Sequence, residues 1–358
     1  MNHDAPLPQV SPLTPRPLGR PADVRRRVMT AAQLRAHGVS AAEADERCRG
    51  GGAWRQVLPG VYLLHPGPPT SEERLHAVLM YASPRQVPPG VPTQPDGGHE
   101  PPGAPAYPDA MITGPAALNL HGFSGAPPLL SLDPIDVLVP RNRRLRSTGW
   151  ARIVRAAAPP APQQRTGLPV APVPRALADA VARLSDAGAV RLLLTEAVRD
   201  GHCEPGAVVR ELNLARLLNR AHVVDAVDSL LAEGRAVAEE RLYRMVREHG
   251  LPDPLWNVDL RLPGGPHLGG LDAYWPEQSV AVELDTRAPR HGDPHDEDAL
   301  WSEYARKREH LERLGITVVH LTPRKLRDAV EQQAAVVRTA LMTAGERDPA
   351  AYVVVLPR

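Results

Sequence analysis

The sequence has few cysteines, and it has no long apolar run. Only two cysteines occur among the 358 residues, Cys48 and Cys203, and they lie far apart along the chain. This number excludes a disulfide framework and a four-cysteine zinc site. No stretch approaches the roughly 18–20 consecutive apolar residues that span a bilayer, and residues 1–21 lack the apolar segment of a secretory signal. We therefore expect a cytoplasmic protein that does not associate with membranes.

Net charge gives no indication of a partner. The 42 basic and 41 acidic residues nearly cancel, so only local clusters of charge are informative. The basic residues are arginines with two exceptions, Lys307 and Lys325. This bias, together with 41 prolines, is typical of GC-rich coding in an actinobacterium-like source. It weakens any argument that a given arginine was selected to bind phosphate.

Changes in composition along the chain predict a multidomain α/β protein. Two segments are rich in proline and lack periodic apolar positions, so we expect them to be disordered. They are residues 1–21 and an insertion in a surface loop at residues 84–108. The predicted regions with a folded core are residues 22–66, residues 67–235 around the insertion, and residues 236–345, followed by a C-terminal tail at residues 346–358.

The first of these regions has the element order of a winged helix-turn-helix. Thr30 and Ser40 are suited to cap two short helices, and two strand-like runs follow around a Leu-Pro-Gly turn at residues 58–60. This part resembles the N-terminal domain of AbiEi-type antitoxins, which implies DNA as a partner and a cognate toxin-type protein as a neighbour. However, residues 40–49 carry three acids against two arginines, which disfavours an approach to phosphate. A packing domain without DNA contact therefore stays an alternative.

The middle region is predicted to be mixed α/β and contains a dense basic run. IDVLVP reads as a strand, and RALADAVARL and AVRLLLTEAV read as amphipathic helices. No acid occurs among residues 141–155, which contain six arginines. Four of these arginines are candidate contacts to a nucleic-acid backbone, namely Arg141, Arg143, Arg144 and Arg146. The alternative is a solvated strand edge in an arginine-biased protein.

After residue 238 the pattern predicts elements in the order α-β-β-β-α-β-α. EERLYRMVREHG reads as a helix with Glu239 near its start and an end at Gly250. LWNVDLRL, GLDAYW and VAVELD read as strands. A long helix, EDALWSEYARKREHLERLG, then precedes the strand ITVVHL and a last helix, TPRKLRDAVEQQAAVVRTALM.

Acidic residues lie at matching positions of the second and third strands. If their turn centres between residues 277 and 278, Asp272 and Glu283 oppose each other and project from one face of the sheet, and alternation places Asp285 on that face too. Three carboxylates on an apolar hairpin repel one another unless a positive charge lies between them. A divalent metal is the simplest source of that charge, and oxygen ligands favour Mg²⁺ or Mn²⁺ over zinc. The alternative is that the acids face solvent and pair with Arg306, Lys307 or Arg308.

This arrangement resembles the PD-(D/E)XK nuclease superfamily, and within it the branch of uncharacterised proteins akin to very-short-patch-repair endonucleases. The resemblance covers roughly residues 235–328. It rests on the helical Glu239, on LDAYWPEQSVAVELD, and on a helix followed by LGITVVHLT. It implies a restriction-endonuclease-like α/β domain in which Asp272 and Glu283 hold the metal and Glu239 is an accessory acid.

The superfamily's usual lysine, two residues after the second acid, is Asp285 in this sequence. Three side chains are candidates to position the attacking water in its place: His291, His295 and Lys307. A second hypothesis for the two histidines is a metal pair with a neighbouring aspartate, although the glycine and proline between them favour a loop.

Three functions stay open from the sequence. The first is a metal-dependent DNA endonuclease, in which the ion lowers the pKa of bound water and His291 positions that water or protonates the leaving oxygen. The second is a non-catalytic, antitoxin-type DNA-binding regulator that uses a degenerate nuclease fold as a scaffold. The third is a protein-interaction module without nucleic-acid contact.

Overall fold

The computed structural model describes residues 27–83, 107–286, 305–344 and 352–358. The chain is of mixed α/β class, as predicted, and the described residues form three sheets. It divides into two compact units, Met1–Arg183 and Leu184–Arg358. Over the described ranges, no helix combines the length and the apolar character needed to cross a membrane. The tail at residues 1–21 and residues 84–106 of the predicted insertion lie outside the described residues.

The first unit begins with a small three-stranded sheet and two short helices. The elements are β1 (Val28–Thr30), α1 (Ala31–Ala36), α2 (Ala41–Cys48), β2 (Arg55–Leu58) and β3 (Val61–Leu63), with strand order β1-β3-β2. Both predicted caps are present: the Thr30 hydroxyl accepts the Gln33 N–H and the Ser40 hydroxyl accepts the Glu43 N–H, each at 3.2 Å. Trp54 is buried between the helices and the sheet, in a core that it shares with Leu34.

A five-stranded mixed sheet forms the rest of the first unit. Its elements are α3 (Ser71–Ala82), β4 (Met111–Ile112), α4 (Gly114–Leu120), β5 (Ile135–Pro140), β6 (Ala151–Ala156), β7 (Gln163–Arg165), β8 (Leu168–Val170) and α5 (Val173–Val181), with strand order β6-β5-β4-β8-β7. β5 is the predicted IDVLVP strand, and its apolar residues are buried. Tyr107, which the prediction placed in the disordered insertion, is buried and bonds to His76 through its hydroxyl.

The second unit combines a helical layer with another five-stranded sheet. The elements are α6 (Ala187–Arg199), α7 (Pro205–Leu214), α8 (Ala221–Glu248), β9 (Leu255–Arg261), β10 (His267–Trp275), β11 (Val280–Leu284), a helix α9 described at residues 305–313, β12 (Thr317–Leu321), α10 (Pro323–Asp328), α11 (Val330–Ala344) and β13 (Val354–Pro357). The strand order is β12-β11-β10-β9-β13, with β12 parallel to β11 and the other pairs antiparallel. From α8 to β12 the elements follow the predicted order.

Each face of this sheet is covered by its own apolar core. On one face, Val282 and Leu284 pack with Leu242 of α8 and Val337 of α11. On the other face, Ala281 packs in a core that includes residue 311 of α9. The two faces therefore have different helical neighbours.

The long helix α8 differs from the prediction. It begins at Ala221, so Glu239 lies in its interior, and the predicted boundary between residues 235 and 236 falls within one continuous helix. Gly234 lies inside this helix, where the lack of a side chain allows close packing: a Cβ there would lie 2.4 Å from Cγ of Pro205. The compact units instead meet in sequence between Arg183 and Leu184.

The end of the chain also differs from the prediction. The last predicted helix is two helices, α10 and α11, separated by the non-helical Ala329. Residues 354–357, which the prediction placed in a tail, form β13 and pair with β9 from Val354 opposite Arg261 to Pro357 opposite Val258. The run of three valines before Leu356 is typical of a strand.

Candidate functional site

The two acids predicted to form the site lie on adjacent antiparallel strands in the predicted register. Ala273 is opposite Val282, and Trp275 is opposite Val280. The same register places Asp272 opposite Glu283. Both acids are buried, with 5% and 6% of their surface exposed. Burial of two carboxylates is costly unless each has a charged or hydrogen-bonding partner.

At Asp272, strand β10 changes the face of the sheet to which its side chains point. Leu271 packs in the core on the α9 side of the sheet, whereas Ala273, two residues later, packs in the core on the α8 side. The neighbouring strand is irregular at the same level, because Asn257 has a φ of 48°. Strict alternation, on which a shared face for the two carboxylates was predicted, therefore does not hold at this point of β10.

Asp272 is bound from the α8 side and from the backbone of β11. Its Oδ1 accepts a hydrogen bond from Nη2 of Arg235 at 2.5 Å, and its Oδ2 accepts the N–H of Leu284 at 2.6 Å. The Nε of Arg235 lies 2.7 Å from Oε1 of Glu239, one turn further along α8. One guanidinium thus bridges the two acids that were predicted to be a metal ligand and an accessory acid.

Glu283 is bound from the α9 side. Its Oε1 lies 2.7 Å from Nζ of Lys307, and the same ammonium donates to the carbonyl oxygen of Gly270 at 2.8 Å. Lys307 therefore joins β10 to β11 beside Asp272. His320 is opposite Glu283 in β12, with its Nδ1 3.9 Å from Oε2. Burial lowers the pKa of His320 below its ordinary 6.5, so at neutral pH the positive charge beside Glu283 comes from Lys307.

The Lys307 side chain reaches the sheet because Gly269 leaves room for it. Gly269 has a φ of +115°, a conformation that glycine adopts without strain. A Cβ at Gly269 would lie 2.6 Å from Cε of Lys307. The predicted turn PGGPHLGG is partly strand, since β10 begins at His267, and Gly269 within it forms the seat for the lysine.

The remaining predicted residues are not all brought to this site. Asp285 follows the end of β11 and is half-buried, and its N–H donates to the carbonyl of Leu321 at 2.9 Å. His291 and His295, and the aspartates between and after them, lie outside the described residues. Within the described ranges, no group of three or more His, Cys, Asp or Glu side chains is arranged to hold a metal ion.

Arg235 and Tyr243 also lie at the site, although neither was predicted there. Together with Glu239 they are spaced four residues apart on α8, so they lie on one side of the helix. The ring of Tyr243 lies 4.1 Å from that of Trp256, centroid to centroid. Burial raises the pKa of Tyr243, and the negative charges of Glu239 and Asp272 raise it further. The four-residue spacing could have indicated that the three side chains share one side of a helix. The predicted helix, however, started after Arg235 and so did not include it.

The predicted nucleic-acid contacts lie in the first unit and are of two kinds. The guanidinium of Arg143 donates to the carbonyl of Ala82 at 3.0 Å, which makes it part of the fold. Three others are exposed, and we call them the exposed arginines: Arg141, Arg144 and Arg146. Over the described part of the chain, their guanidinium groups form no hydrogen bond or ion pair. They precede β6, an edge strand of its sheet.

Helix α2, the predicted recognition helix, neutralises its own basic residues. Arg47 pairs with Glu43 at 2.5 Å, and Arg49 pairs with Glu46 at 2.6 Å. The guanidinium of Arg47 also lies over the ring of Trp54, 4.5 Å from its centroid. The basic charge of this helix is therefore engaged within the protein.

Comparison with known proteins adds no relative. The chain matches no protein-family model, and no match is found among curated proteins. A function is therefore inferred from the residues and distances given above.

Two carboxylates of the site, those of Asp272 and Glu239, are oxygen donors that could contribute to binding a divalent cation. Asp272 and Glu239 direct carboxylate oxygens at one cationic group, the Arg235 guanidinium, at 2.5 and 2.7 Å. Oxygen donors of this kind suit Mg²⁺ or Mn²⁺. The repulsion that predicted a metal is, however, already offset in this structure, because Arg235 and Lys307 supply one positive charge each.

Proposed function

We propose that the second unit is a metal-dependent nuclease domain that hydrolyses phosphodiester bonds in DNA. The observation that carries this proposal is the opposed pair of buried acids, Asp272 and Glu283, each with a basic residue within 2.7 Å. The order of helices and strands from α8 to β12 supports the restriction-endonuclease-like fold that the resemblance implies.

In this proposal each residue has a separate role. Asp272 and Glu283 would hold Mg²⁺ or Mn²⁺, with Glu239 as the accessory acid, and the ion would lower the pKa of a bound water. Lys307 stays on Glu283, holds that carboxylate in position, and presents positive charge beside it. His291 stays the candidate that positions the water or protonates the leaving oxygen.

The first unit would provide the contact with DNA. Its helices α1 and α2 and its β2–β3 hairpin follow the order of a winged helix-turn-helix. Because the arginines of α2 are paired with acids of the same helix, we assign the phosphate contacts to the exposed arginines instead. Such contacts favour DNA of any sequence and weaken with salt.

Cleavage of supercoiled plasmid DNA tests the proposal. We expect the wild-type protein to nick or cut the plasmid with Mg²⁺ or Mn²⁺ and to be inactive with a chelator. Asp272→Asn and Glu283→Gln should remove the activity, and Glu239→Gln should lower it. Glu240→Gln is the matched control, because Glu240 is the next residue of α8 and pairs with Arg244 at the surface. Equal cleavage by the wild type and Asp272→Asn would identify a contaminant and refute the proposal.

The second candidate function is a non-catalytic DNA-binding regulator. It is favoured by the ion pairs of Asp272 with Arg235 and of Glu283 with Lys307, which compensate both acids without a metal. A regulator would bind DNA with equal affinity in the presence of Mg²⁺ and of a chelator. It would show no cleavage in the plasmid assay, and Asp272→Asn would leave its DNA affinity unchanged.

A further inference from the structure

The two basic side chains at the site, those of Lys307 and Arg235, are held in different ways. Lys307 is seated against Gly269 and donates to acceptors on two strands, and 20% of its side chain is exposed. Arg235 projects from the surface of α8, and 37% of its side chain is exposed. Its partners are Asp272 and Glu239.

This difference decides which of the two basic side chains can move away from its carboxylate partners. Withdrawing the Lys307 ammonium would leave the carbonyl of Gly270 and the buried Glu283 without their donor, and this is costly. The Arg235 guanidinium can turn into water by rotation of its own side chain, because 37% of that side chain is already exposed. Its departure leaves two carboxylates, Asp272 and Glu239, without a counter-charge, and a divalent cation restores that charge.

We propose that Arg235 is a competitor for the proposed metal site, and that it sets the affinity of this site for a divalent ion by occupying Asp272 and Glu239. This inference rests on the proposed function, because it requires that the ion binds at Asp272. In the metal-free protein the guanidinium occupies the carboxylate oxygens that face the ion, and metal binding displaces it. Lys307 remains on Glu283 in both states.

The expected size of the effect follows from the competition. A ligand that can bind only to the open fraction of molecules has its affinity reduced by that fraction. If Arg235 is paired with Asp272 and Glu239 in about nine molecules of ten, the apparent affinity for the metal is about tenfold weaker than that of the site without this pairing. Removing the guanidinium should recover that factor.

Binding of Mn²⁺ to the full chain, measured from the electron paramagnetic resonance signal of the free ion, tests the inference without an activity assay. We expect Arg235→Met to bind Mn²⁺ about tenfold more tightly than the wild type. Arg235→Lys keeps the charge and should stay close to the wild type. Arg244→Met is the matched control, since Arg244 forms the same kind of pair with Glu240 on the same helix at 2.6 Å. Its affinity should equal that of the wild type.

The outcomes separate this inference from the proposed function. Loss of Mn²⁺ binding in Asp272→Asn with equal affinity in the wild type and Arg235→Met would overturn the competition and leave the metal site standing. Tight binding by both Arg235→Met and Arg235→Lys would also overturn it, because charge would then not matter. Absence of binding in the wild type and Arg235→Met alike would refute the metal site and the inference together. The thermal midpoint of Arg235→Met with and without Mn²⁺ gives a second measurement, and a larger rise than in the wild type is expected.

Discussion

Replacement of Lys307 by methionine isolates the contribution of one buried charge. The substitution keeps the length of the side chain and removes the ammonium, which leaves Glu283 without its cation and the carbonyl of Gly270 without its donor. Removing one partner of a buried ion pair costs about 3–5 kcal/mol. Because Lys307 is partly accessible to water, we expect a smaller loss, about 2–3 kcal/mol. For a unit of this size, that is a fall in melting temperature of roughly 4–12 °C.

Urea unfolding at neutral pH measures this loss, and a double-mutant cycle assigns it to the pair. The cycle compares the wild type, Lys307→Met, Glu283→Gln and the double variant. We expect the double variant to be more stable than the sum of the single losses predicts, by about 1–2 kcal/mol, because residues in contact do not add. Lys325→Met is the matched control: Lys325 is the protein's only other lysine, it is exposed, and its replacement should change stability by less than about 0.5 kcal/mol.

Two results would contradict the reasoning. If Lys307→Met were as stable as Lys325→Met, the ammonium would not compensate a buried charge. If the two single losses were additive, Lys307 and Glu283 would not interact. Either result would also remove the role of Lys307 in positioning Glu283 for catalysis.

Two further predictions concern the first unit. Burial raises the pKa of the buried Glu73, but hydrogen bonds from His65 and the Thr70 N–H and the charge of Arg27 outweigh it, and the pKa lies below its ordinary 4.5. The stability that this carboxylate contributes is therefore present above pH 4.5 and lost as the pH falls through the lowered pKa. Urea unfolding from pH 7 to 3 should show that Glu73→Gln is less stable than the wild type by about 1–3 kcal/mol at pH 7 and less sensitive to acid. Parallel curves of stability against pH for the two proteins would contradict this. Replacing the exposed arginines by alanine should reduce the slope of log affinity against log salt by about three for duplex DNA in fluorescence anisotropy, and an unchanged slope would show that they do not contact phosphate.

The register at the site was predictable because it depends on a local feature. The turn after Trp275 is short, so its centre determines which residues of β10 and β11 oppose each other. The same holds for the caps at Thr30 and Ser40, where a side chain bonds to an amide three residues away. Local chemistry of this kind is readable from the residues alone.

The charge balance of the site could not be read in the same way. Arg235 and Asp272 are separated by 37 residues, and Lys307 and Glu283 by 24. Which cation reaches which acid depends on the faces of the sheet that α8 and α9 cover, and on the change of face in β10. The predicted repulsion between the acids was therefore incomplete, because it counted the negative charges of one hairpin without the helices packed around it.

The pairing of β13 with β9 has a consequence for synthesis of the chain. About ninety residues separate Arg261 from Val354, so at typical translation rates β9 is made about 5–20 s before its partner. During that interval the outer edge of β9 carries unpaired N–H and C=O groups, which can template pairing with another nascent chain. The rate at which the residues between these two strands are translated therefore determines how long the edge of β9 is exposed to such pairing.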